Sequence, residues 1–419
     1  MLLRSAKRFQ GNKKIMEEKA AEPAIRFAEF AGAWEQRKFS ELYKRSSEKN
    51  DGSMGVDRFI TVATMQFKSD IRVTEDEYLK TYFTFKLGDI AFEGNRSKNF
   101  KYGRFVENDI GDGLVSHVFI VMRPITNYDL YFWKYAIHNE NLMRKILQRS
   151  TKSSTMMHDL VVQDFLNEKF SVPSLKEQKA IGNFLRTIDS LLTLHQRKYE
   201  KLLNIKKSML EKMFPKEGEV VPEIRFKGFT GAWEERKLGD IADITGGGTP
   251  STSNNDYWDG IINWYSPAEI SNQIFLNSSQ RKITELGYSS CSAKMLPRGT
   301  VLFTSRAGIG KTAILSAEGC TNQGFQSIVP HANELDSYFI FSRTHELKKY
   351  GEVVGAGSTF VEVSGKQMAA MTLMMPPKFN EQKMIGDFFK RLDSILTLHQ
   401  RKLEMLKNIK QAFLDKMFV

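Results

Sequence analysis

The strongest constraint on this chain is that much of its sequence occurs twice. Residues 23–38 recur as residues 222–237, with 11 of 16 positions identical, and residues 177–214 recur as 381–418, with 24 of 38 identical. The stretches between these blocks, residues 39–170 and 238–376, are far less alike. A period of about 200 residues is too long for a solenoid repeat. The pattern therefore predicts a duplicated domain with the order variable, constant, variable, constant.

The longer repeated block carries apolar residues at alternating spacings of three and four, which is the pattern of a coiled-coil helix. The predicted core positions are Ile188, Leu192, His195, Leu202, Leu392, Leu396, His399 and Leu406. Pro173 and Pro215 flank the first copy and Pro376 precedes the second, as expected of residues that are excluded from helix interiors. We predict two helices of about 57 Å each. They should pack antiparallel, because the domain between them must return the chain.

His195 and His399 occupy equivalent positions near the middle of this seam. A polar residue at a coiled-coil core position usually fixes the register of the helices, and we favour that role. A pH switch is the alternative for the pair. The sequence shows no further ligands that would make a metal site there.

The variable segments have the composition of mixed α/β domains. Residues 58–64, 118–122 and 299–304 are rich in β-branched and aromatic residues and predict strands, whereas residues 131–148 and 337–350 predict helices. The expected fold class is α/β (α+β), with two mixed α/β domains separated by two long helices in an antiparallel coiled coil, and a pseudo-two-fold internal repeat. The predicted domain boundaries are 1–21 for a flexible N-terminal extension, 22–172, 173–214, 215–376 and 377–419. Translation could start at Met1 or at Met16.

The charge balance favours a polyanionic partner. The net charge is +12, and the longer repeated blocks supply most of it, with nine Lys/Arg against four Asp/Glu in residues 175–214. A solvated coiled-coil face would explain the same excess without any ligand. The two cysteines, Cys291 and Cys320, form no CxxC motif, which is typical of a protein in the reducing cytosol. No apolar run approaches the roughly 18 residues that span a bilayer, so we expect a cytoplasmic protein.

Basic residues follow a strand in each variable segment and alternate with small polar residues. This mixture suits contacts to phosphates and base edges, although most such loops are only solvated. The candidate DNA-binding residues are Arg96, Lys98, Lys101, Arg104, Tyr257, Ser305, Arg306, Lys311 and Thr312.

The chain shows no catalytic constellation. Residues 308–312 read Gly-Ile-Gly-Lys-Thr, but a phosphate-binding P-loop needs glycine at the position of Ser305. Residues 375–378 read Met-Pro-Pro-Lys and lack the amide or acid and the aromatic residue of an amino-methyltransferase motif. The histidines form no HxxxH pattern. We therefore expect no catalytic residue, cofactor site or metal site in this chain.

The repeated entry Pro-x-Ile-Arg-Phe-x-x-Phe-x-Gly-Ala-Trp-Glu-x-Arg-Lys and the twin Glu-Gln-Lys…Leu-His-Gln-Arg-Lys helices resemble those of specificity subunits of Type I restriction-modification systems. The second variable segment adds Gly-Thr-Pro-Ser at 248–251, Tyr-Trp at 257–258, Ile-Asn-Trp at 262–264 and Asn-Gln-Gly-Phe at 322–325. The resemblance covers residues 22–419. The first variable segment lacks the Gly-Thr-Pro-Ser and Tyr-Trp elements, so the resemblance says less about which of its residues contact DNA.

The resemblance implies two target-recognition domains, each reading one half of a bipartite asymmetric DNA site, with the helices acting as a ruler between them. It implies docking of two methyltransferase (modification) subunits that bind S-adenosylmethionine, and a restriction/translocase subunit that uses ATP and magnesium. A coiled-coil scaffold that does not read DNA is the alternative from another class, and selective DNA binding would exclude it. A nucleotide hydrolase would instead require ATP hydrolysis that depends on Lys311.

Overall fold

The computed structural model describes residues 3–5, 22–68, 76–154, 157–271, 273–306, 308–356 and 362–419. The chain separates into two compact units. The first unit combines residues 1–196 with residues 401–419, and the second unit is continuous from residue 197 to residue 400. The predicted N-terminal extension lies outside the described residues, except for a short strand at Leu3–Ser5 that pairs with Ile25–Phe27.

The helices and strands follow one another in mixed order, as the composition predicted. The strands are β1 Leu3–Ser5, β2 Ile25–Phe27, β3 Glu35–Lys38, β4 Tyr43–Ser46, β5 Ile60–Thr61, β6 Gln66–Phe67, β7 Phe83–Phe85, β8 Ile90–Glu93, β9 Arg104–Glu107, β10 Gly113–Val115, β11 Ile120–Pro124, β12 Thr151–Ser153, β13 His158–Leu160, β14 Lys169–Val172, β15 Glu234–Lys237, β16 Ala242–Gly246, β17 Trp258–Tyr265, β18 Phe275–Leu276, β19 Arg281–Ile283, β20 Val301–Phe303, β21 Thr312–Leu315, β22 Cys320–Thr321, β23 Gln326–Pro330 and β24 Thr372–Met375. The helices are α1 Asp76–Leu79, α2 Leu130–Ile137, α3 Glu140–Ser150, α4 Val162–Asn167, α5 Leu175–Lys212, α6 Leu238–Ile241, α7 Glu285–Ser289, α8 Ser337–Ser342, α9 Thr344–Gly355, α10 Gly365–Ala370 and α11 Phe379–Lys416.

The first unit is built on a four-stranded antiparallel sheet with the order β4-β11-β8-β9. Because side chains alternate across a strand, the two faces of β8 enter different cores. Ile90 and Phe92 join the main core beside the helices, whereas Ala91 joins a smaller core on the other face. The main core contains large buried aromatic side chains: Phe27, Trp34, Phe39, Tyr43, Phe105, Phe132, Trp133 and Phe165.

The second unit has a five-stranded sheet with the order β16-β23-β20-β21-β18 and a three-stranded sheet with the order β19-β17-β22. Strand β20 divides its side chains between two cores, as β8 does in the first unit. Val301 and Phe303 enter the main core of the second unit and Leu302 enters a smaller one. A glycine with positive φ precedes each strand, Gly88 (φ 85°) and Gly299 (φ 92°). The duplication therefore extends into the variable segments, where the sequences show only a weak likeness.

The two predicted long helices are present, and each is 38 residues long. Helix α5 begins two residues after Pro173 and ends three residues before Pro215, and α11 begins two residues after Pro377. The fold class predicted from the sequence is thus confirmed. Of the predicted core positions, Ile188, Leu392 and Leu396 are buried. The other five are half-buried: Leu192, His195, Leu202, His399 and Leu406.

Each unit shows that these helices run antiparallel. In the first unit Phe184 packs on Phe413 with ring centroids 4.8 Å apart, and one turn later Asp189 pairs with Lys410 at 2.6 Å. Along α5 the residue numbers rise while those of their α11 partners fall. In the second unit Lys206 pairs with Asp393 at 2.5 Å, and Phe214 stacks on Phe389 at 6.1 Å, in the same sense.

The end of α11 completes the core of the first unit. Phe418, 6% exposed, contacts Trp34 edge-on at 6.4 Å and stacks on Phe132 at 5.4 Å. In the second unit the equivalent Phe214, at the end of α5, contacts Trp233 edge-on at 6.1 Å. The repeated Lys-Met-Phe ending is therefore a core element of each unit.

Both helices that were predicted in the variable segments are divided into two in the structure. The predicted helix 131–148 consists of α2 and α3, because the Asn139 side chain accepts a hydrogen bond from the Asn141 amide and starts a new helix. The predicted helix 337–350 consists of α8 and α9, which are separated at Arg343. In the first variable segment, the predicted strand 58–64 is reduced to the two residues Ile60–Thr61.

Candidate nucleic-acid interface

The repeated entry segment of each unit is bound to the start of a long helix by a buried ion pair. Arg26 donates to both carboxylate oxygens of Glu177, at 2.7 and 2.8 Å. Arg225 does the same to Glu381, at 2.6 and 2.8 Å. The two glutamate side chains are only 2% and 1% exposed, so the planar bidentate guanidinium neutralises charges that burial would otherwise make costly.

The glutamine that follows each glutamate joins the same helix to the variable segment. Gln178 accepts a hydrogen bond from the Asp129 amide, and Gln382 accepts one from the Asp336 amide. Asp129 and Asp336 in turn cap α2 and α8 through their side chains. The duplicated Glu-Gln pair is therefore a structural connection in both units.

A glycine inside each long helix allows this connection. A Cβ at Gly182 would overlap the Oδ1 atom of Asp129 and lie 2.7 Å from the Phe132 nitrogen. At Gly386 a Cβ would overlap Oδ1 of Asp336 in the same way. Glycine normally weakens a helix interior, so its presence here is explained by the close approach of the capped helix.

A second connection in each unit centres on an aspartate of the long helix. In the first unit Asp189 accepts a hydrogen bond from the Tyr135 hydroxyl at 2.6 Å and pairs with Lys410 at 2.6 Å. In the second unit Asp393 accepts one from Tyr338 at 2.9 Å. Burial raises the pKa of both tyrosines above its usual value, and the neighbouring aspartates raise it further. The hydroxyls therefore remain donors at physiological pH.

These contacts were not predicted from the sequence, although several of the residues that form them lie in the repeated motifs. The signal was present, because Arg26, Glu177 and Gly182 are identical in the second copy. An arginine and a glutamate that are retained together in both copies indicate a pair. The repeats therefore encode the same set of connections in each unit, and a different variable segment is attached to each set.

In the first unit, the predicted basic residues lie on the connection between β8 and β9. Arg96, Lys98 and Lys101 are exposed there. Arg96 donates to Ser153 and lies 3.5 Å from the Ser154 carbonyl, and Lys101 lies over the Tyr102 ring at 5.6 Å. The structure therefore brings these three cations onto one exposed loop.

Arg104 has different surroundings from the other cations of that loop. Its guanidinium pairs with Glu93 at 2.6 Å, donates to the Ala63 carbonyl at 3.1 Å and lies over the Phe100 ring at 5.2 Å. Its side chain is half-buried and its donors are used within the unit. Arg104 thus holds the β8–β9 hairpin that presents the exposed cations.

In the second unit, the predicted residues around 305–312 form a tight loop after β20. The Gly310 amide donates to the Thr304 carbonyl at 3.0 Å and the Lys311 amide donates to the Thr304 hydroxyl at 2.9 Å. These amides are consumed inside the loop and cannot form the phosphate cradle of a P-loop. Lys311 itself is exposed. Position 307 lies outside the described residues.

The remaining predicted residues of this loop are less accessible. Ser305 is fully buried and its amide donates to the Gly324 carbonyl at 2.9 Å. Arg306 is half-buried, and its backbone forms an isolated antiparallel β-bridge with that of Glu362. The Thr312 hydroxyl lies 2.7 Å from that of Thr344. Lys311 is therefore the residue of this group that is best placed for a ligand.

A glycine-rich loop of the second unit is held in shape by two indole groups. Trp264 donates to the Gly248 carbonyl at 2.8 Å, and Trp258 donates to the Ser251 carbonyl at 3.1 Å. The two indole rings meet edge-to-face at 5.2 Å. Tyr257, predicted as a contact, is half-buried beside this loop. The loop leaves Ser251 and the two residues after it exposed on an ordered support.

One buried acid of the first unit has no hydrogen-bond partner among the described residues. Both carboxylate oxygens of Glu107 are buried and unpaired, and so is the hydroxyl of Tyr43. Burial raises the pKa of Glu107 well above its usual value, and the nearby Asp109 raises it further. Burial therefore favours the neutral form of Glu107 in the folded protein.

Within the part of the chain that the structure describes, no three His, Cys, Asp or Glu side chains are grouped closely enough to hold a metal ion. A search of the same residues finds no helix with the length and apolar character needed to cross a membrane.

The duplicated fold, with exposed basic residues on a loop of each unit, fits a class of proteins that carry two DNA-specificity domains. The family model described as the Type I restriction modification DNA specificity domain matches residues 40–204 and again residues 231–408. The chain belongs to this family and carries its domain twice, which confirms the family predicted from the sequence.

Individual relatives agree with this assignment. The MjaIX specificity subunit of Methanocaldococcus jannaschii is 32% identical over 190 residues, which are 45% of this chain and 44% of that subunit. The HindI specificity subunit of Haemophilus influenzae is 19% identical over 393 residues, covering 77% of this chain and 85% of that subunit. The crystal structure of the Type I S subunit from M. genitalium covers 95% of this chain and 99% of its own, with a TM-score of 0.60 and 15% identity. The chain therefore shares the fold of that S subunit, while the MjaIX alignment spans less than half of either chain.

Proposed function

We propose that the chain is the DNA-reading subunit of a Type I restriction-modification complex and recognises a bipartite asymmetric site. Residues 22–172 and 215–376 act as the two target-recognition domains, each reading one half of the site. The helical segments 173–214 and 377–419 form their common frame. Residues 1–21 are an extension outside these domains.

The observation that carries this proposal is the repetition of the same connections beneath unlike surfaces. Arg26–Glu177 and Arg225–Glu381 bind the two entry segments to equivalent points of the helices. Gln178 and Gln382 bind the two variable segments at the neighbouring positions. The surfaces they support differ, because a basic hairpin loop lies in one unit and a tight loop with Lys311 in the other. Two equivalent attachment points that carry unlike surfaces suit the recognition of two unlike DNA half-sites.

The predicted contact residues divide into two groups on this proposal. Arg96, Lys98, Lys101 and Lys311 are exposed cations that neutralise phosphates or reach base edges. The others shape the loops or contribute polar groups at their edges: Arg104, Tyr257, Ser305, Arg306 and Thr312. A charge excess of +12 supports the phosphate contacts.

The chemistry then belongs to partner subunits. Two methyltransferase subunits that bind S-adenosylmethionine would dock on the helical frame, and a restriction/translocase subunit would use ATP and magnesium. Such a complex would act in the cytoplasm, where the cell's DNA is available. The chain itself would supply the sequence specificity and no catalytic group.

The test is replacement of one variable segment. Residues 39–170 are exchanged for the corresponding segment of another specificity subunit that retains an aspartate at Asp129 and a tyrosine at Tyr135, because these residues contact α5. The methylated sequence is then mapped by single-molecule sequencing of cells that produce the whole complex. We expect one half of the site to change and the other half to stay the same.

The matched control is the reciprocal exchange of residues 238–376 with Asp336 and Tyr338 retained, which should change only the other half. A change in both halves, or in neither, would refute modular reading. Gel shifts of the assembled complex that showed no sequence preference would instead support a scaffold that does not read DNA.

A further inference from the structure

An exposed arginine of the second unit lies over the ring of a tryptophan beside the glycine-rich loop. The Cζ atom of Arg281 lies 3.6 Å from the centroid of the Trp258 ring, which is the distance of direct contact. Trp258 is 6% exposed and its indole nitrogen donates to Ser251. The ring is thus held in place, and it supports the guanidinium that lies over it.

The backbone on both sides of this contact is also fixed. Arg281 lies in β19, where it pairs with Trp264 of β17. A register shift between Trp258 and Ile262, with Asp259 at a φ of 60°, brings the Trp258 ring beneath the arginine. The Arg281 carbonyl accepts a hydrogen bond from the Ser279 hydroxyl at 2.5 Å. The backbone at Arg281 is therefore already ordered, so a ligand that binds there would pay little conformational entropy for ordering it.

The donors of Arg281 have no acceptor within the part of the chain that the structure describes. Arg281 makes no ion pair there, in contrast to Arg104 and Arg343, which also lie over aromatic rings but pair with glutamates. A guanidinium that is stacked, exposed and unpaired offers a planar pair of N–H groups to a ligand with two adjacent acceptors.

The surrounding groups suit the same ligand. Ser251, Thr252 and Ser253 are exposed hydroxyl residues, and their loop is joined to the Trp258 indole that supports Arg281. Hydroxyl groups beside an arginine fork are typical of contacts to DNA phosphates and base edges.

We infer that Arg281 is a DNA contact of the second half-site, donating two hydrogen bonds to a pair of adjacent acceptors. Either a guanine edge or a phosphate supplies such a pair. The inference rests on the proposed DNA-reading function and adds a residue that lies outside the two basic loops. Its contact with the Trp258 ring distinguishes it from the exposed lysines Lys98 and Lys311 of those loops.

The experiment compares Arg281→Ala and Arg281→Lys with the wild type in the assembled complex, by DNA binding at several salt concentrations and by mapping of methylated sites. Loss of a bidentate contact should weaken specific binding about ten- to a hundredfold. Lysine retains the charge without the planar fork, so it should restore only a small part of this loss. A guanine contact would relax one position of the second half-site, whereas a phosphate contact would weaken all sequences alike and lower the salt slope by about 1.

Arg298→Ala is the control, because Arg298 is exposed in the same unit and lies over no aromatic ring in the described structure. An equal loss in this control would mean that only net charge matters, and the inference would be wrong. Unchanged binding and unchanged methylation in Arg281→Ala would also overturn it. A wild-type complex without sequence preference would refute the proposed function instead, so the two failures are distinguishable.

Discussion

Lys206 on α5 forms an ion pair with Asp393 on α11, with Nζ and Oδ1 2.5 Å apart. The equivalent pair of the first unit, Lys410 with Asp189, has nearly the same length, 2.6 Å. The two pairs differ in burial, since the Asp393 side chain is 8% exposed and the Asp189 side chain is 36% exposed. The duplication thus provides one interaction in two environments within a single chain.

Burial should decide the stability effect of removing each lysine. We expect Lys206→Ala to lower the free energy of unfolding by about 2 kcal/mol, because it leaves a buried aspartate without its cation. Lys410→Ala should cost less than about 1 kcal/mol, because solvent screens the more exposed Asp189. Urea unfolding of the full chain measures both, and equal losses would contradict the role given to burial.

Gly182→Ala should destabilise the first unit, although glycine-to-alanine changes in helices normally add about 1 kcal/mol of stability. The new Cβ would overlap Asp129 and force the capped end of α2 away from α5, at a cost of about 1–3 kcal/mol. Asn183→Ala, at the next, exposed position of the same helix, is the control and should be neutral or slightly stabilising. Thermal unfolding of the three proteins checks the sign, and a gain for Gly182→Ala would show that the close approach is not needed.

Glu107→Gln should change how stability depends on pH. Burial raises the pKa of Glu107 in the folded protein above its unfolded value of 4.5, so its contribution is complete below pH 4.5 and is lost as the pH rises toward the folded pKa. The loss is at most about 1.4 kcal/mol per pH unit. Glutamine does not titrate, so the free energy of unfolding of the variant in urea should rise relative to that of the wild type as the pH increases above 4.5. The exposed Glu29→Gln serves as control, and a Glu107→Gln difference that is constant with pH would disprove the assignment.

Lys98 and Arg104 lie close in sequence, and we expect their substitutions to have different effects. Lys98→Ala should weaken DNA binding by the assembled complex for all sequences and reduce the salt slope by about 1, with no change in thermal stability. Arg104→Ala should lower the melting temperature, because it leaves Glu93, which is 14% exposed, without its partner. Salt titrations and thermal scans separate these effects. A stability loss for Lys98→Ala would place that residue in the fold instead of at the interface.

The parts of this fold that were predictable are those encoded by local pattern or by repetition. The spacing of Ile188 and Leu192 and the position of Pro173 predicted α5 because helix periodicity and proline exclusion act within a few residues. The partner of a polar residue cannot be predicted from such local patterns. Lys206 and Lys410 stand on the predicted seam, but only the folded chain shows which carboxylate each one meets.

The site was predictable in composition and less so in geometry. Exposed lysines such as Lys98 and Lys311 were found, because loop sequence and charge are local properties. The burial of Ser305 and the pairing of Arg104 depend on strands that are distant in sequence. The stacking of Arg281 on Trp258 depends on a register shift with a non-glycine residue, Asp259, at positive φ, which no propensity scale favours.

The placement of Phe418 against Trp34 has a consequence for biosynthesis. Residues 401–419 belong to the first unit but leave the ribosome only after all of the second unit has been made. The first unit cannot complete its core until the end of α11 arrives, so the sides of Trp34 and Phe132 that contact Phe418 stay uncovered while the second unit is synthesised. The half of the protein that is synthesised first therefore depends, for its complete core, on residues that follow the whole of the other half in the chain.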